Sequence, residues 1–373
     1  MAMAMILTNL STINSNKNTK NRKLSPAQLV LCLLALIALL LLLNRLFSPK
    51  YMSGVYEGAL IAEYYNSDKN HALIVIGDCE VYENISPITL WEDYGITSYI
   101  RGSPQQLIWQ SYYLLEDTLR YEKPQAVIFS VLAMKYATPQ SEAYNRLTLD
   151  GMKLSRSKIA AVYASMTPGE SLFSYLFPLF RYHDRYTDIG TDDLLYLFSR
   201  RGVSHNGFMM RCDTKPLTTL PTPQKLADYQ LDATCWHYLD KMREKCGQQG
   251  VELILLKAPL LYPHWYDEWD AQIVDYASTH GLLYINALTE LAEIGLDFTT
   301  DTYDGGLHLN LAGAEKFSKY LGTILSSRGW PDLRLDEKLS ISWAEKSLAY
   351  ERMKNAQISE LETKGKINTF IKE

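Results

Sequence analysis

The sequence predicts a three-layer α/β/α body, in which helices cover both faces of a parallel β-sheet, with one transmembrane helix before it and a charged helical tail after it. Between residues 71 and 335, short apolar runs of strand length alternate with longer segments of helical periodicity. The runs are apolar at successive positions, which is typical of parallel strands buried on both faces. Strands and helices that alternate in this way favour a doubly covered parallel sheet.

The N-terminal region contains an apolar run, Leu29–Leu43, without a polar side chain. As a helix this run would cover about 22 Å, whereas the range 27–47 would cover about 31 Å, close to the hydrocarbon thickness of a bilayer. Because the leader 1–26 is basic, the positive-inside rule predicts a cytoplasmic N terminus and an extracytoplasmic main domain in a single-pass protein of the cell membrane. A cleaved signal peptide is the alternative, although no A-x-A site follows the run.

Charge is divided unevenly along the chain, which carries −5 overall. Residues 1–50 contain six basic and no acidic side chains, so the rest of the chain carries a net charge of −11. An acidic body has no general attraction for phosphate, and nucleic acid is therefore not an expected partner. The lipid bilayer is an expected partner, through residues 27–47.

Five predicted strands follow a polar, tyrosine-rich stalk at 48–70. They are Ala72–Ile76, Gly95–Tyr99, Ala126–Val131, Val251–Leu256 and Leu282–Ile285. The predicted helices are Gln105–Tyr121, Leu226–Gly250, Trp265–His280 and Leu311–Ser326. These elements predict an α/β domain over 71–335, with an insertion at about 135–225 that is rich in Tyr, Phe, Arg and Ser. The charge-balanced tail, 336–373, predicts a solvated helix that rests on the domain.

Side chains with catalytic potential follow the first strand and precede the last helix. Cys79 stands in the turn G-D-C-E after the first strand, and Asp304 and His308 stand in the loop before Leu311. In an open parallel sheet, ligands bind outside the carboxyl ends of the strands. A thiol, an imidazole and a carboxylate at that edge can serve as nucleophile, general base and orienting group.

The other cysteines and histidines form no metal pattern. The five cysteines have no C-x-x-C spacing, and they are Cys32, Cys79, Cys212, Cys235 and Cys246. No H-x-x-x-H pair or cluster of acids accompanies them. We therefore expect neither a metal nor another cofactor.

The two catalytic blocks resemble those of the SGNH/GDSL hydrolase family, whose fold is flavodoxin-like. The turn is similar to the family's G-D-S nucleophile turn, with Cys79 in the place of serine, and the last block is similar to its D-x-x-H-x-N block. The resemblance covers roughly residues 70–330 and implies that Cys79 is the nucleophile, His308 the base and Asp304 its orienting acid. Asp304 and His308 are four residues apart rather than three, so Asp301 or a neighbouring acid is an alternative orienting group.

Four segments resemble a subgroup of that family, the membrane-anchored proteins of Firmicutes that share the general plan of the DltD and AlgJ type. They are Asn84–Trp91, Gly95–Gly102, Ser111–Leu115 and His308–Gly313. Proteins of this plan act on acyl groups of envelope polymers. The resemblance therefore implies a cell-envelope glycan or polymer as substrate, with a membrane partner as a source of the acyl donor.

The resemblance also implies an oxyanion hole formed by the backbone N–H groups of Cys79 and Gly102. The family's asparagine after the third strand is absent, and Ser130 stands near its place. From their positions in the chain, Lys257 after the fourth strand and His264 and Trp265 in an aromatic loop are predicted to contact substrate.

Cysteine in the place of serine changes the predicted chemistry, because a thiol ionises more readily than a hydroxyl. The resulting thioester would pass its acyl group readily to an amine or an alcohol. We therefore predict an acyl esterase or O-acyltransferase. The alternative is a catalytically inactive envelope binding or assembly module, because Cys79, Glu80 and the missing asparagine depart from the family pattern.

Overall fold

The computed structural model describes residues 25–49, 55–198 and 202–370. The chain forms two compact units, Met1–Arg45 and Leu46–Glu373. Nearly all of the predicted leader 1–26 and part of the stalk 48–70 lie outside the described residues, so their bounds stay predictions. Within the described ranges, one helix, α1 (Pro26–Phe47), is long and apolar enough to cross a membrane, and a signal sequence has the same character.

A five-stranded parallel sheet forms the centre of the second unit. Its strands are β1 (Leu73–Gly77), β2 (Ser98–Gly102), β3 (Ala126–Ser130), β4 (Glu252–Lys257) and β5 (Leu283–Asn286). They lie in the order β2-β1-β3-β4-β5, and each neighbouring pair is parallel. The predicted α/β class is confirmed. β2 begins three residues later than predicted because Gly95, at φ +66°, ends the preceding helix instead of starting the strand.

Helices connect the strands and cover the sheet. In the second unit they are α2 (Leu60–Glu63), α3 (Cys79–Tyr82), α4 (Pro87–Tyr94), α5 (Ile108–Thr118), α6 (Glu142–Leu149), α7 (Arg156–Ser165), α8 (Leu172–Leu176), α9 (Leu179–Tyr182), α10 (Thr191–Tyr196), α11 (Ala233–Gln249), α12 (Asp267–His280), α13 (Leu291–Ile294), α14 (Leu311–Ser326) and α15 (Glu337–Lys364). Short 3₁₀ helices at Tyr56–Ala59, Tyr64–Asn66, Val131–Lys135, His183–Thr187 and Leu333–Leu335 complete the connections.

Alternate side chains of each strand pack into two separate apolar layers. On β1, Leu73 and Val75 join the core that contains α4, α14 and α15. Ile74 and Ile76 face the opposite way and join the core that contains α5, α11 and α12. Burial on both faces explains why the strand runs are apolar at successive positions.

The C-terminal helix α15 packs more deeply than the solvated helix predicted for the tail. Trp343 is fully buried, and its ring stacks on that of Trp91 with centroids 5.2 Å apart. Gln357 is also buried, and its amide donates to the carbonyl oxygen of Met210 at 3.2 Å. The tail is therefore part of one helical layer of the domain.

The predicted insertion has two structurally different parts. Helices α6, α7 and α8 pack with α2 and α5 around a small apolar cluster that includes Leu149, Val162 and Tyr175. The chain then returns to the main core, where Phe208 is fully buried. The N–H of Leu311 donates to the carbonyl oxygen of Arg211 at 2.7 Å, which fixes this returning segment beside the start of α14.

Candidate active site

Cys79 is the first residue of α3, directly after the turn that ends β1. Asp78 caps this helix, because its carboxylate accepts a hydrogen bond from the N–H of Glu80 at 3.1 Å. Gly77 permits the close approach of β1 and β3, since a Cβ at this position would lie 2.7 Å from the Cβ of Ser130. The turn therefore places Cys79 at the carboxyl edge of the sheet.

His308 lies in the loop before α14 and is held by Asp304. Its Nδ1 atom is 2.6 Å from Oδ2 of Asp304. The other carboxylate oxygen of Asp304 accepts the backbone N–H of His308 at 2.9 Å. The chain can fold back over the carboxylate because Gly305 and Gly306 adopt φ values of +86° and +99°. The four-residue spacing thus brings acid and imidazole together.

A second carboxylate, that of Glu83, also approaches the imidazole. Its Oε2 atom lies 3.6 Å from Nδ1 of His308 and accepts a hydrogen bond from the hydroxyl of Tyr303. The guanidinium of Arg211 lies 4.2 Å from the centroid of the Tyr303 ring. Sequence reasoning missed these three residues, although Glu83 follows Cys79 by one helical turn.

Asp301, the alternative orienting acid, has a different partner. Its carboxylate forms an ion pair with Lys316 at 2.6 Å and accepts the N–H of Asp297 at 2.8 Å. These contacts stabilise the loop and the first turns of α14. Asp304 is therefore the acid that the structure places on Nδ1 of His308.

The thiol of Cys79 lies beside the imidazole of His308, and each group shifts the pKa of the other. Nε2 of His308 is buried and has no well-aligned hydrogen bond within the described ranges. Burial, helped by the charge of Asp78, raises the pKa of Cys79 to about 11, although His308 opposes the rise. The environment therefore favours the protonated thiol, in contrast to the readily ionised thiol predicted from the residue type.

The surroundings of His308 favour its charged form, the imidazolium. Burial disfavours its cation, but the carboxylate of Glu83, the neighbouring Cys79 and the hydrogen bond to Asp304 together raise its pKa well above the usual value. Near neutral pH, these shifts favour a neutral thiol beside an imidazolium. A proton must leave this pair before His308 can act as a base.

A cavity of about 630 Å³ opens over these groups. Cys79, Glu83, Asp304 and His308 lie in its wall. Much of the remaining wall is aliphatic or aromatic, and its members include Val55, Tyr82, Pro104, Leu132, Tyr136, Ala143, Tyr144, Leu147, Pro263 and Leu307. Because Ala143, Tyr144 and Leu147 belong to α6, the insertion builds part of this wall. An apolar cavity with a few convergent polar groups is typical of a small-molecule site.

The residues predicted to complete the oxyanion hole have other contacts. The hydroxyl of Ser130 donates to Glu80 at 3.0 Å. A Cβ at Gly102 would lie 3.1 Å from side-chain atoms of both Val81 and Tyr82, so this glycine permits α3 to pack on β2. Among the described residues that line the cavity, neither Ser130 nor Gly102 is present.

Gln105 does line the cavity, and sequence reasoning missed it. Its backbone adopts φ +50°, a conformation uncommon for residues other than glycine. Backbone strain of this kind clusters at functional sites. No sequence signal marks it, because a glutamine does not indicate a positive φ.

Lys257 lies in the interior rather than on a substrate path. Its ammonium group is 2.5 Å from Oε1 of Glu80 and also donates to the carbonyl oxygen of Ala258 at 2.9 Å. Both charged side chains are fully buried. This ion pair gives a structural role to Glu80, the acidic residue that follows Cys79.

The aromatic loop before α12 also differs from the prediction. Trp265 is buried, and its indole N–H donates to Asp270 at 3.1 Å. The ring of His264 lies 4.7 Å from that of Tyr266. Within this loop, Pro263 is the residue that lines the cavity. The structure therefore assigns a packing role to Trp265 and leaves His264 outside the cavity wall.

All five cysteines are free. Within residues 25–49, 55–198 and 202–370, no group of three or more His, Cys, Asp or Glu side chains could hold a metal ion.

Comparison with known proteins finds distant structural neighbours. No family model matches the chain, and no curated protein matches it by sequence. A lipolytic protein assigned to the G-D-S-L family from Desulfitobacterium hafniense is 13% identical, with a TM-score of 0.34, over 68% of this chain and 99% of its own. A protein assigned as an acylhydrolase from Bacteroides fragilis is 11% identical, with a TM-score of 0.36, over 72% of this chain and 94% of its own. Likenesses this distant carry no argument about activity or residue roles.

Proposed function

We propose that this protein hydrolyses or transfers acyl esters through Cys79, His308 and Asp304. The observation that carries the proposal is the convergence of a thiol, an imidazole and its carboxylate in the wall of one largely apolar cavity. These groups suit the roles of nucleophile, general base and orienting acid. The cavity suits the acyl chain, because its wall is apolar around the reactive groups.

The reaction has two halves. Neutral His308 accepts the thiol proton while the sulfur of Cys79 attacks the carbonyl carbon of the ester. The tetrahedral intermediate collapses, its C–O bond breaks, and the imidazolium returns the proton to the departing alcohol. His308 then takes a proton from water or from an acceptor hydroxyl, whose oxygen attacks the thioester and releases Cys79 as a thiol.

The oxyanion of the intermediate needs hydrogen-bond donors in the cavity wall. In this proposal the backbone N–H of Cys79 is one donor. The side-chain amide of Gln105 is the other, because Gln105 lines the cavity whereas the hydroxyl of Ser130 is directed to Glu80. Replacement of Gln105 by alanine should therefore lower kcat by about 10²-fold or more while leaving the free energy of unfolding nearly unchanged.

The proposed setting is the outer face of the cell membrane. The basic leader and the apolar helix α1 support an anchored protein with its domain outside. The proposed substrate is an acyl ester of a cell-envelope glycan or polymer, in line with the resemblance of the sequence to envelope-modifying proteins. A membrane partner would supply the acyl donor in a transfer reaction.

A catalytically inactive envelope-binding module is the second candidate function. The protonated resting state of Cys79 favours it, and so does the engagement of Ser130 by Glu80. Turnover separates the two candidates, because only the enzyme forms a thioester on Cys79.

The full chain in lipid nanodiscs is assayed with p-nitrophenyl acetate, butyrate and octanoate between pH 7 and pH 9.5. We expect turnover that Cys79→Ala abolishes, together with an acyl adduct on Cys79 that hydroxylamine removes. Cys212→Ala is the matched control, since Cys212 lies outside the cavity wall. Unchanged turnover in Cys79→Ala would overturn the proposal, and the absence of both turnover and adduct at every pH would favour the inactive module.

A further inference from the structure

Three phenylalanine rings of the insertion form an exposed cluster in α8, in α9 and in the turn between them. We call Phe173, Phe177 and Phe180 the phenylalanine cluster; their exposed fractions are 63%, 42% and 64%. The rings contact one another, with centroids between 5.8 and 6.4 Å apart. Contiguous exposed apolar patches of this kind mark interaction surfaces more often than single exposed side chains do.

The insertion continues this apolar character beyond the cluster. Tyr186 is exposed, and on and after α10 so are Leu194, Leu195 and Phe198. Arg185 holds the two stretches together, because its guanidinium forms an ion pair with Asp193 at 3.3 Å. Helices that lie in a membrane–water interface typically combine Phe, Trp or Leu on one face with Lys or Arg on the other.

A hydrogen bond links this part of the insertion to Phe47, which belongs to the same compact unit as the domain. Nη1 of Arg185 donates to the backbone oxygen of Phe47 at 2.6 Å, and Phe47 is the last residue of α1. The six residues from Phe180 to Arg185 are helical and cover about 10 Å. If α1 crosses the membrane, the cluster therefore lies close to the bilayer surface.

We propose that the phenylalanine cluster docks on the outer surface of the bilayer that α1 crosses, with its rings among the lipid acyl chains. This proposed contact with lipid is separate from the proposed catalytic activity. It requires only that α1 anchors the chain in the membrane. The bilayer is the occupant that the Arg185–Phe47 bond favours, because the chain itself delivers the cluster to that surface. A second copy of the chain is the competing occupant.

Docking would also orient the cavity. Arg146 of α6 donates to the hydroxyl of Ser174 in α8 at 2.8 Å, and the hydroxyl of Tyr182 in α9 donates to Asp150, directly after α6, at 3.0 Å. The helix that supplies part of the cavity wall is thus fastened to the helices that carry the cluster. A docked cluster would hold that wall beside the membrane, where the membrane partner of the proposed function would supply its acyl donor.

The test uses the full chain in nanodiscs of phosphatidylcholine and phosphatidylglycerol, with p-benzoylphenylalanine placed at Phe180 or at Phe173. Leu335 is the matched control, because it is an exposed apolar residue (90%) outside the insertion. After irradiation, mass spectrometry should show lipid adducts several-fold more abundant at Phe180 and Phe173 than at Leu335. Equal adducts at all three positions, or cross-links between copies of the chain instead of lipid adducts, would overturn the proposal. Neither readout depends on catalysis.

Discussion

At Cys79, burial and a neighbouring cation act on the thiol in opposite directions. Burial raises its pKa to about 11, whereas His308 favours the thiolate. His308 itself is held as a cation by Glu83 and Asp304 despite its burial. The resting site therefore holds one proton more than the proposed reaction can use, and we expect any reaction of Cys79 to depend on pH.

Alkylation of Cys79 should follow this protonation equilibrium. Because the thiolate is the reactive form, the rate with iodoacetamide should rise about tenfold per pH unit between pH 7 and pH 10. His308→Asn removes the group that lowers the pKa of Cys79, so the rate at pH 9 should fall. Cys79→Ser gives the background from the other four cysteines. A rate that is already at its plateau at pH 7 would contradict this account.

Glu83 should set the pH at which His308 becomes a base. Glu83→Gln removes the carboxylate that most strongly raises the pKa of His308, so neutral imidazole forms at lower pH. The rising limb of the pH–rate profile for ester turnover should move down by about one pH unit. Glu57→Gln, which removes another carboxylate from the cavity wall, is the control and should shift the limb less. A limb that stays in place or moves upward in Glu83→Gln would show that Glu83 does not act on His308.

At the scale of secondary-structure elements, a cluster of three buried polar side chains joins the carboxyl ends of three neighbouring strands. Glu80 in α3, just after β1, binds Ser130 at the end of β3 and Lys257 at the end of β4. Both charges are fully buried, so neither can lose its partner without a large desolvation cost. This group holds the turn that presents Cys79.

Lys257→Met should therefore lower stability rather than substrate affinity. We expect the free energy of unfolding to fall by roughly 3–5 kcal/mol, because Glu80 would be left as an unpaired buried charge. Lys319→Met, which breaks an exposed pair with Asp93, should cost about 1 kcal/mol or less. Denaturant unfolding measures both variants. If Lys257→Met instead unfolded at the normal denaturant concentration but had a raised KM, Lys257 would be a substrate contact, as the sequence predicted.

The elements also show where sequence reasoning succeeds. Four strands lie within about one residue of their predicted positions. A strand that is buried on both faces is apolar at successive positions, so it is visible in the sequence as a continuous apolar run. Cys79, Asp304 and His308 meet as expected, because parallel strands bring their carboxyl ends to one edge. The partners of Ser130 and Lys257 were not predictable, since a buried ion pair between positions 80 and 257 leaves no local pattern. The same holds for the backbone of Gln105.

At the scale of the whole molecule, the insertion contacts both the cavity and Phe47, the last residue of α1. It contributes α6 to the cavity wall and Arg185 to the contact with Phe47. Both contributions come from a segment that the sequence marks only as an interruption of the strand–helix alternation. The part of the chain that departs from the fold pattern is thus the part that adapts the fold to its proposed setting.

The proposed membrane setting requires that the mature protein keeps α1. We expect the intact mass of the membrane-bound protein to include residues 1–47, because no A-x-A cleavage site follows the apolar run. Protease added to the outer face of spheroplasts should remove the domain and leave a fragment that contains α1, whereas intact spheroplasts should protect a cytoplasmic marker protein. A mature N terminus beyond Phe47 would contradict the anchor. It would also remove the Phe47 carbonyl that accepts from Arg185, and with it the reason for the phenylalanine cluster to lie at the bilayer.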